Sequence, residues 1–153
     1  MILYHGTNTE FEQIDLKKSK PNKDFGQGFY LSADYAQAMS MAQTKVAQLE
    51  YGTPIVLAYE IDEAKMESLD IIHFHEYSEE WANFVLANRE GRNTENYDIV
   101  FGPIADDKVG LQIRKLKDGS INKTEFMNRL KYLKGITFQY YFGTEEAIKH
   151  LII

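Results

Sequence analysis

The sequence contains no cysteine among its 153 residues. Disulfide bonds, thiolate catalysis and cysteine-ligated metals are therefore excluded. No apolar run approaches the ~20 residues that cross a bilayer, and the apolar stretch over residues 1–4 is too short for a secretory signal. We expect a cytoplasmic protein that contacts no membrane. The length favours a single domain spanning residues 1–153.

Positive charge is also scarce, because 17 Lys and Arg residues oppose 23 Asp and Glu residues, giving a net charge of −6. Broad binding to nucleic acid is disfavoured, since affinity for phosphates comes from clustered Lys and Arg. Basic residues do gather in two groups, one over residues 17–23 and one over residues 108–134. Solvated faces are the more common explanation of such groups. The alternative is a local basic patch that binds nucleic acid.

Hydrophobic patterning predicts short strands and helices that do not alternate strictly, which favours the α+β class. Strands are expected over residues 1–4, 29–31, 55–61, 71–74, 97–101 and 136–142. Helices are expected after Ser32 or Asp34, after Ser78, over residues 123–133 and after Thr144. The polar loop over residues 17–27 is of the kind that often lines a binding site.

Three segments carry candidate chemistry: Tyr4-His5-Gly6-Thr7, Gly26-Gln27-Gly28-Phe29-Tyr30 and Phe138-Gln139-Tyr140-Tyr141-Phe142. The first places a histidine at the exit of a strand, before a glycine that lets a ligand lie against the backbone. In the second, two glycines allow a turn to deliver an aromatic ring into a groove. In the third, period-two alternation puts Gln139 on the less apolar face. For that strand alone, an amide bonded to a neighbouring loop is the commoner explanation.

The order and types of these residues resemble the ADP-ribosyltransferases, the group of diphtheria toxin and the poly(ADP-ribose) polymerases. That group uses a histidine, tyrosine and glutamate triad. His5-Gly6-Thr7 resembles its first motif, Gly28-Phe29-Tyr30 before a helix resembles its second, and Gln139 falls at the third acidic position. A closer resemblance, over nearly the whole chain, is to the bacterial domain-of-unknown-function family numbered 3990. It runs through residues 97–108 and 139–147. The resemblance implies a split β-sheet with flanking helices.

The resemblance further implies NAD as a co-substrate. His5 would bond the adenosine ribose, the backbone of Gly6 would hold the nicotinamide amide, and the ring of Tyr30 would stack on nicotinamide. Gln139 would contact the 2′-hydroxyl of the nicotinamide ribose. Thr7, Gly28 and Tyr35 complete the implied NAD site, with Tyr35 as the nearest candidate for a second ring.

The resemblance implies transfer of ADP-ribose, and because Gln139 supplies no charge to activate a hydroxyl acceptor, synthesis of a polymer is not expected. The expected activity is mono-ADP-ribosylation of a protein or nucleic-acid acceptor, with NAD hydrolysis as an alternative outcome. The alternatives are a non-catalytic NAD-binding or protein-interaction module and an ordinary scaffold protein. Bacterial members of such small families often resemble toxins, which implies a neutralising antitoxin-like partner.

Two further groups of residues are candidates for chemistry. Asp106 and Asp107 are candidates for a helping carboxylate, although a helix cap or a solvated charge is commoner after a turn. His73 and His75 lie beside Glu76 with no third histidine nearby, so no metal site is expected.

Overall fold

The computed structural model describes residues 1–93, 95–131 and 136–153. The described residues form six strands and six α-helices, so the predicted α+β class is confirmed. The strands are β1 (Ile2–Thr7), β2 (Phe29–Leu31), β3 (Ile55–Glu60), β4 (Ile71–His73), β5 (Ile99–Pro103) and β6 (Phe138–Phe142). The helices are α1 (Tyr35–Leu49), α2 (Glu63–Glu67), α3 (Glu79–Arg89), α4 (Asp107–Lys117), α5 (Lys123–Leu130) and α6 (Glu145–Ile148).

The strands form a two-stranded and a four-stranded sheet within the described residues. β1 pairs antiparallel with β3, and the larger sheet has the order β2-β6-β5-β4. Its β4–β5 pair is parallel, whereas β2–β6 and β5–β6 are antiparallel. β2 therefore ends one edge of the larger sheet, next to β1.

A single residue pair joins the two sheets. The amide of Tyr4 donates to the carbonyl of Ser32 over 2.7 Å, and the amide of Ser32 donates back over 2.8 Å. The ladder between β1 and β2 does not continue beyond this pair. The two strands consequently separate on the side of His5 and Gly6. We call the space between these residues and β2 the gap.

Alternation along β5 and β6 gives the larger sheet two buried faces. Val100 and Tyr141 pack into one hydrophobic cluster around Trp81. Ile99 and Phe142 pack into a second cluster on the opposite face, together with residues of β1, β2 and β3. Burial on both faces fixes the register of β6, so every side chain of this strand has a defined side.

Helix capping follows the predicted signals. Asp34, Ser78 and Thr144 each accept a hydrogen bond from a backbone amide in the first turn of α1, α3 and α6. The sequence analysis did not predict α2 and α4. β5 was expected to stop at Phe101, but Gly102 and Pro103 continue it opposite β6.

Some sequence expectations fall on chain that the structure leaves undescribed. Residues 132 and 133 of the helix predicted over residues 123–133, and Lys134 of the second basic group, lie outside the described residues. In the described ranges, no helix is long and apolar enough to cross a membrane.

Candidate active site

His5 lies where β1 and β2 separate. Its Nδ1 is 2.6 Å from the carbonyl oxygen of Tyr30, and because a carbonyl can only accept, Nδ1 carries the hydrogen. The ring stacks on Phe29 with centroids 4.1 Å apart. Burial lowers the pKa of His5 to about 4, so the ring is neutral at pH 7. Nε2 is then an acceptor, and it has no partner among the described residues.

The backbone of Gly6 faces the same gap. The backbone N–H and C=O of Tyr4 both point at Ser32, on the side of β1 away from β3. Because backbone groups alternate in direction along a strand, the N–H and C=O of Gly6 point to the same side. The antiparallel register would put Tyr30 opposite Gly6, but the ladder has already ended. The peptide of Gly6 is thus left open to the gap. A Cβ there would lie 2.0 Å from the carbonyl oxygen of Ala38, so the close contact between α1 and β1 requires glycine.

Tyr30 offers its ring rather than its hydroxyl. The hydroxyl donates to the carbonyl of Gly26 over 2.6 Å and accepts from the amide of Phe25 over 3.1 Å. Burial raises the pKa of Tyr30, so the phenol stays protonated at neutral pH. The ring packs on Tyr141, with centroids 5.3 Å apart, and the Nζ of Lys23 lies 4.9 Å from its centroid.

Gln139 is a buried amide on β6, only 9% exposed. It lies opposite Gly102 of β5, and its side chain has no hydrogen-bond partner within the described ranges. Its amide is accessible from the cavity that it lines, because the Tyr59 hydroxyl is the one fully buried side-chain polar atom that lacks a partner in the described ranges. The neighbouring-loop partner that would explain this amide structurally is therefore missing from the described residues. A ligand beside Gln139 would supply the missing bond.

One cavity brings these residues together. It has a volume of about 620 Å³, within the range that small-molecule sites occupy, and His5, Gly6, Gly28, Tyr30 and Gln139 all line it. The segment between β1 and β2 and one face of α1 form much of the remaining wall: Phe11, Gln13, Asp15, Lys18, Ser19, Lys20, Lys23, Gln37, Ala38, Met41, Thr44, Lys45, Gln48 and Leu49. Strand residues, and the residues that follow β2 and β5, complete it: Tyr4, Phe29, Leu31, Ser32 and Ile104. Three segments that are distant in sequence thus share one concave surface.

The cavity is strongly basic although the whole chain is acidic. Lys18, Lys20, Lys23 and Lys45 line it, and Asp15 is the one carboxylate among its described lining residues. Burial lowers the pKa of Lys23, and the positive charge of Lys45 lowers it further. Ammonium groups that repel one another in this way favour an anionic ligand.

Polar contacts hold the loop that forms this wall. The amide nitrogen of the Gln27 side chain donates to the carbonyls of Lys17 and Ser19, over 3.2 and 2.7 Å. The amide of Gly28 donates to the Ser19 hydroxyl, and the Tyr141 hydroxyl donates to the carbonyl of Gln27. A Cβ at Gly28 would lie 2.4 Å from the Tyr141 ring, so this glycine permits the close approach of β2 and β6.

Two residues of the implied NAD site do not line the cavity. Thr7 is buried, and its hydroxyl donates to the carbonyl of Thr9 within the turn after β1. Tyr35 is 52% exposed at the start of α1 and meets Tyr4 edge to face, with centroids 5.4 Å apart. Tyr4 does line the cavity, so Tyr35 lies behind it rather than inside.

The candidate helping carboxylates are at the start of α4. Asp106 is exposed and accepts a hydrogen bond of 2.9 Å from the amide of Val109, which makes it the helix cap. It does not line the cavity. Asp107 is the first residue of α4, and its side chain lies outside the described part of the structure.

Sequence reasoning missed the lysines of the cavity. The lysines of residues 17–23 were expected to be a solvated surface group, and Lys45 belonged to neither basic group of the sequence. A usable signal was present in α1, where Gln37, Met41, Lys45 and Gln48 recur at helical spacing behind the second motif. A partly polar face on a helix that follows a binding motif indicates a cavity wall.

His73, the last residue of β4, and His75 form a stack on the surface. The rings of His73 and His75 lie 5.6 Å apart and nearly parallel, and Glu67 approaches His73 to 3.8 Å. In the described ranges, no group of three or more His, Cys, Asp or Glu residues could hold a metal ion.

Comparison with known proteins gives one result. The model of a family described as "Protein of unknown function (DUF3990)" matches residues 1–152, which confirms the resemblance stated over residues 97–108 and 139–147. No curated protein and no solved structure matches the chain.

Proposed function

We propose that this chain, which belongs to the DUF3990 family, is an NAD-dependent mono-ADP-ribosyltransferase with the split-sheet fold of that enzyme group. The observation that carries the proposal is the shared cavity of His5, Gly6, Tyr30 and Gln139. Each residue comes from a strand at or beside the gap. His5, Gly6 and Tyr30 offer the groups that the resemblance implies for them, and Gln139 offers an amide oxygen where that enzyme group has a carboxylate.

The polar groups at the gap suit a dinucleotide. The neutral imidazole of His5 offers Nε2 to a hydroxyl of the adenosine ribose. The open peptide of Gly6 can donate to and accept from the nicotinamide carboxamide, which carries the complementary pair of groups. The ring of Tyr30 supplies a flat apolar surface for nicotinamide.

The reaction begins with heterolysis of the bond between nicotinamide and C1′ of the ribose. The electron pair leaves with the nicotinamide nitrogen, and an oxocarbenium-like cation develops on the ribose. The side-chain oxygen of Gln139 accepts from the 2′-hydroxyl and directs its dipole at this charge. A nucleophilic atom of the acceptor then attacks C1′ and releases its proton to solvent. Because Gln139 is uncharged and Asp15 is the one carboxylate among the described residues that line the cavity, an intrinsically nucleophilic group on protein or nucleic acid is the expected target.

The test is release of nicotinamide from NAD in the presence of a cell extract. Wild type should release nicotinamide and form ADP-ribose adducts, whereas His5→Ala should lose both. His75→Ala is the matched control, because His75 is exposed and lies away from the cavity. Adducts that form on nucleic acid, and form less at higher salt concentration, would identify nucleic acid as the acceptor. Adducts that form only on protein would identify protein as the acceptor. Equal release by wild type and His5→Ala would contradict the proposal.

The second candidate is a non-catalytic NAD-binding or interaction module. The observation in its favour is Gln139, an uncharged group where a transferase of this kind carries glutamate. This module would bind NAD, lose binding in His5→Ala and release no nicotinamide. Nicotinamide release that is measurable in wild type and slower in Gln139→Ala would eliminate it.

A toxin role with an antitoxin-like partner in the cytoplasm is a further part of the proposal, and it rests on the resemblance alone. Expression should then arrest growth, and His5→Ala should relieve the arrest.

A further inference from the structure

The ammonium of Lys23 occupies the surface on which the proposed substrate would stack. Its Nζ lies 4.9 Å from the centroid of the Tyr30 ring, and both residues line the cavity. The ring also meets Phe25 and Tyr141, which belong to the hydrophobic core. A flat ligand in the cavity therefore reaches the ring of Tyr30 only after Lys23 moves away.

Lys23 is weakly held where it lies. No carboxylate of the described residues comes within 4.0 Å of its Nζ, because neighbouring Asp24 is paired with Arg89 at 2.7 Å. Lys45 and Lys20 act on it as like charges, and the charge of Asp24 acts in the opposite sense. A ring quadrupole is a weaker partner for an ammonium than a phosphate, which forms charge-assisted hydrogen bonds.

We propose that Lys23 is a specificity-determining residue that couples phosphate binding to exposure of the Tyr30 ring. When a pyrophosphate enters the basic cavity, the ammonium of Lys23 leaves the ring and pairs with it, and the freed ring face accepts nicotinamide. The inference rests on the proposed function, in which Tyr30 is the platform for nicotinamide. Its consequence is selection for ligands that carry phosphate and a flat ring together.

The movement is confined to one side chain. Asp24 ties the loop to Arg89, and the Gln27 side chain ties it to the carbonyls of Lys17 and Ser19. The flexible stem of Lys23 can swing while the backbone stays in place. Lys45, on the long helix α1, is the fixed phosphate partner that remains when Lys23 changes position.

The two halves of NAD allow the coupling to be measured without turnover. ADP carries the phosphates, and free nicotinamide is a neutral flat ring. Ligand-observed NMR titration of nicotinamide should give a Kd at least ~5-fold lower with saturating ADP than without it. In Lys23→Ala the ring is already exposed, so nicotinamide should bind alike in both conditions and as tightly as it binds ADP-saturated wild type.

Two variants separate this role from general charge loss. Lys45→Ala should weaken ADP binding but should not tighten nicotinamide binding in the absence of ADP. Lys17→Ala is the matched control, since Lys17 lies in the same loop and does not line the cavity. It should behave as wild type in both titrations.

The outcomes distinguish this inference from the proposed function. If wild type binds ADP and nicotinamide without coupling, or if Lys23→Ala keeps the coupling, the role of Lys23 is wrong and the proposed function stands. If folded wild type binds neither ligand, the proposed function fails and the inference falls with it. Circular dichroism of each variant confirms that loss of binding is not loss of fold.

Discussion

Gln139→Glu is the substitution that most directly tests the chemistry of the cavity. The amide is 9% exposed and lacks a partner among the described residues, so a carboxylate of nearly equal size fits the same space. It would place a negative charge beside the ribose on which positive charge develops. We expect the variant to release nicotinamide faster than wild type does.

The size of the effect follows from Coulomb's law. Two unit charges ~4 Å apart attract by about 1 kcal/mol in water and about 4 kcal/mol at an effective dielectric constant of 20. At 1.36 kcal/mol per factor of ten, this range corresponds to roughly 5-fold to 1,000-fold in rate. Desolvation of the buried carboxylate opposes the gain, whereas Lys23 and Lys45 favour its ionised form. We therefore expect about tenfold.

The assay compares nicotinamide release at saturating NAD for wild type, Gln139→Glu and Gln139→Ala. The alanine variant loses only a hydrogen bond of about 0.5–1.5 kcal/mol, so it should be about 2-fold to 12-fold slower than wild type. The kcat of the glutamate variant should rise more than its affinity for NAD, because the added attraction strengthens as the cation forms. A Gln139→Glu protein that folds, binds NAD and is no faster than Gln139→Ala would refute the reasoning.

Two further predictions concern the elements that hold the site. Gly6→Ala should lower the free energy of unfolding in urea by about 1–3 kcal/mol, because the added Cβ would lie 2.0 Å from the Ala38 carbonyl oxygen. Gly110 lies in α4, and a Cβ added there would meet no atom within 4 Å, so Gly110→Ala should raise the free energy of unfolding by about 0.5–1 kcal/mol. Equal effects of the two substitutions would contradict the close contact. The pKa of His5 is about 4 in the folded chain and 6.5 in a free histidine. Between these values the unfolded state binds more protons than the folded state does. The free energy of unfolding should therefore fall by about 3 kcal/mol as the pH drops from 7 to 4. His5→Asn, which keeps a donor for the Tyr30 carbonyl, should lose this part of the pH dependence, and an unchanged profile would show that His5 is not buried as neutral imidazole.

The strand-borne parts of the site were predictable from the sequence because strands alternate and motifs mark their ends. Period-two alternation put Gln139 and Tyr141 on one face of β6, where both are buried, and two glycines marked the approach to Tyr30. The cavity's lysines were not predictable in the same way, since Lys45 is far from the loop in sequence and joins it only because α1 packs over β1. The cap role of Asp106 was favoured by the turn before it, and the structure assigns its carboxylate to the amide of Val109.

The contrast between the acidic chain and its basic cavity bears on the chemistry as well as on binding. In the proposed reaction, positive charge moves from the nicotinamide ring onto the ribose, and Lys23 and Lys45 would oppose a cation in the same cavity. Gln139 offsets this repulsion only through its dipole. The phosphates of the substrate must therefore neutralise the lysines before the bond to nicotinamide breaks. Phosphate pairing by Lys23 would then expose the Tyr30 ring and also lower the electrostatic barrier. Ligands without phosphates should therefore bind more weakly and undergo bond cleavage more slowly.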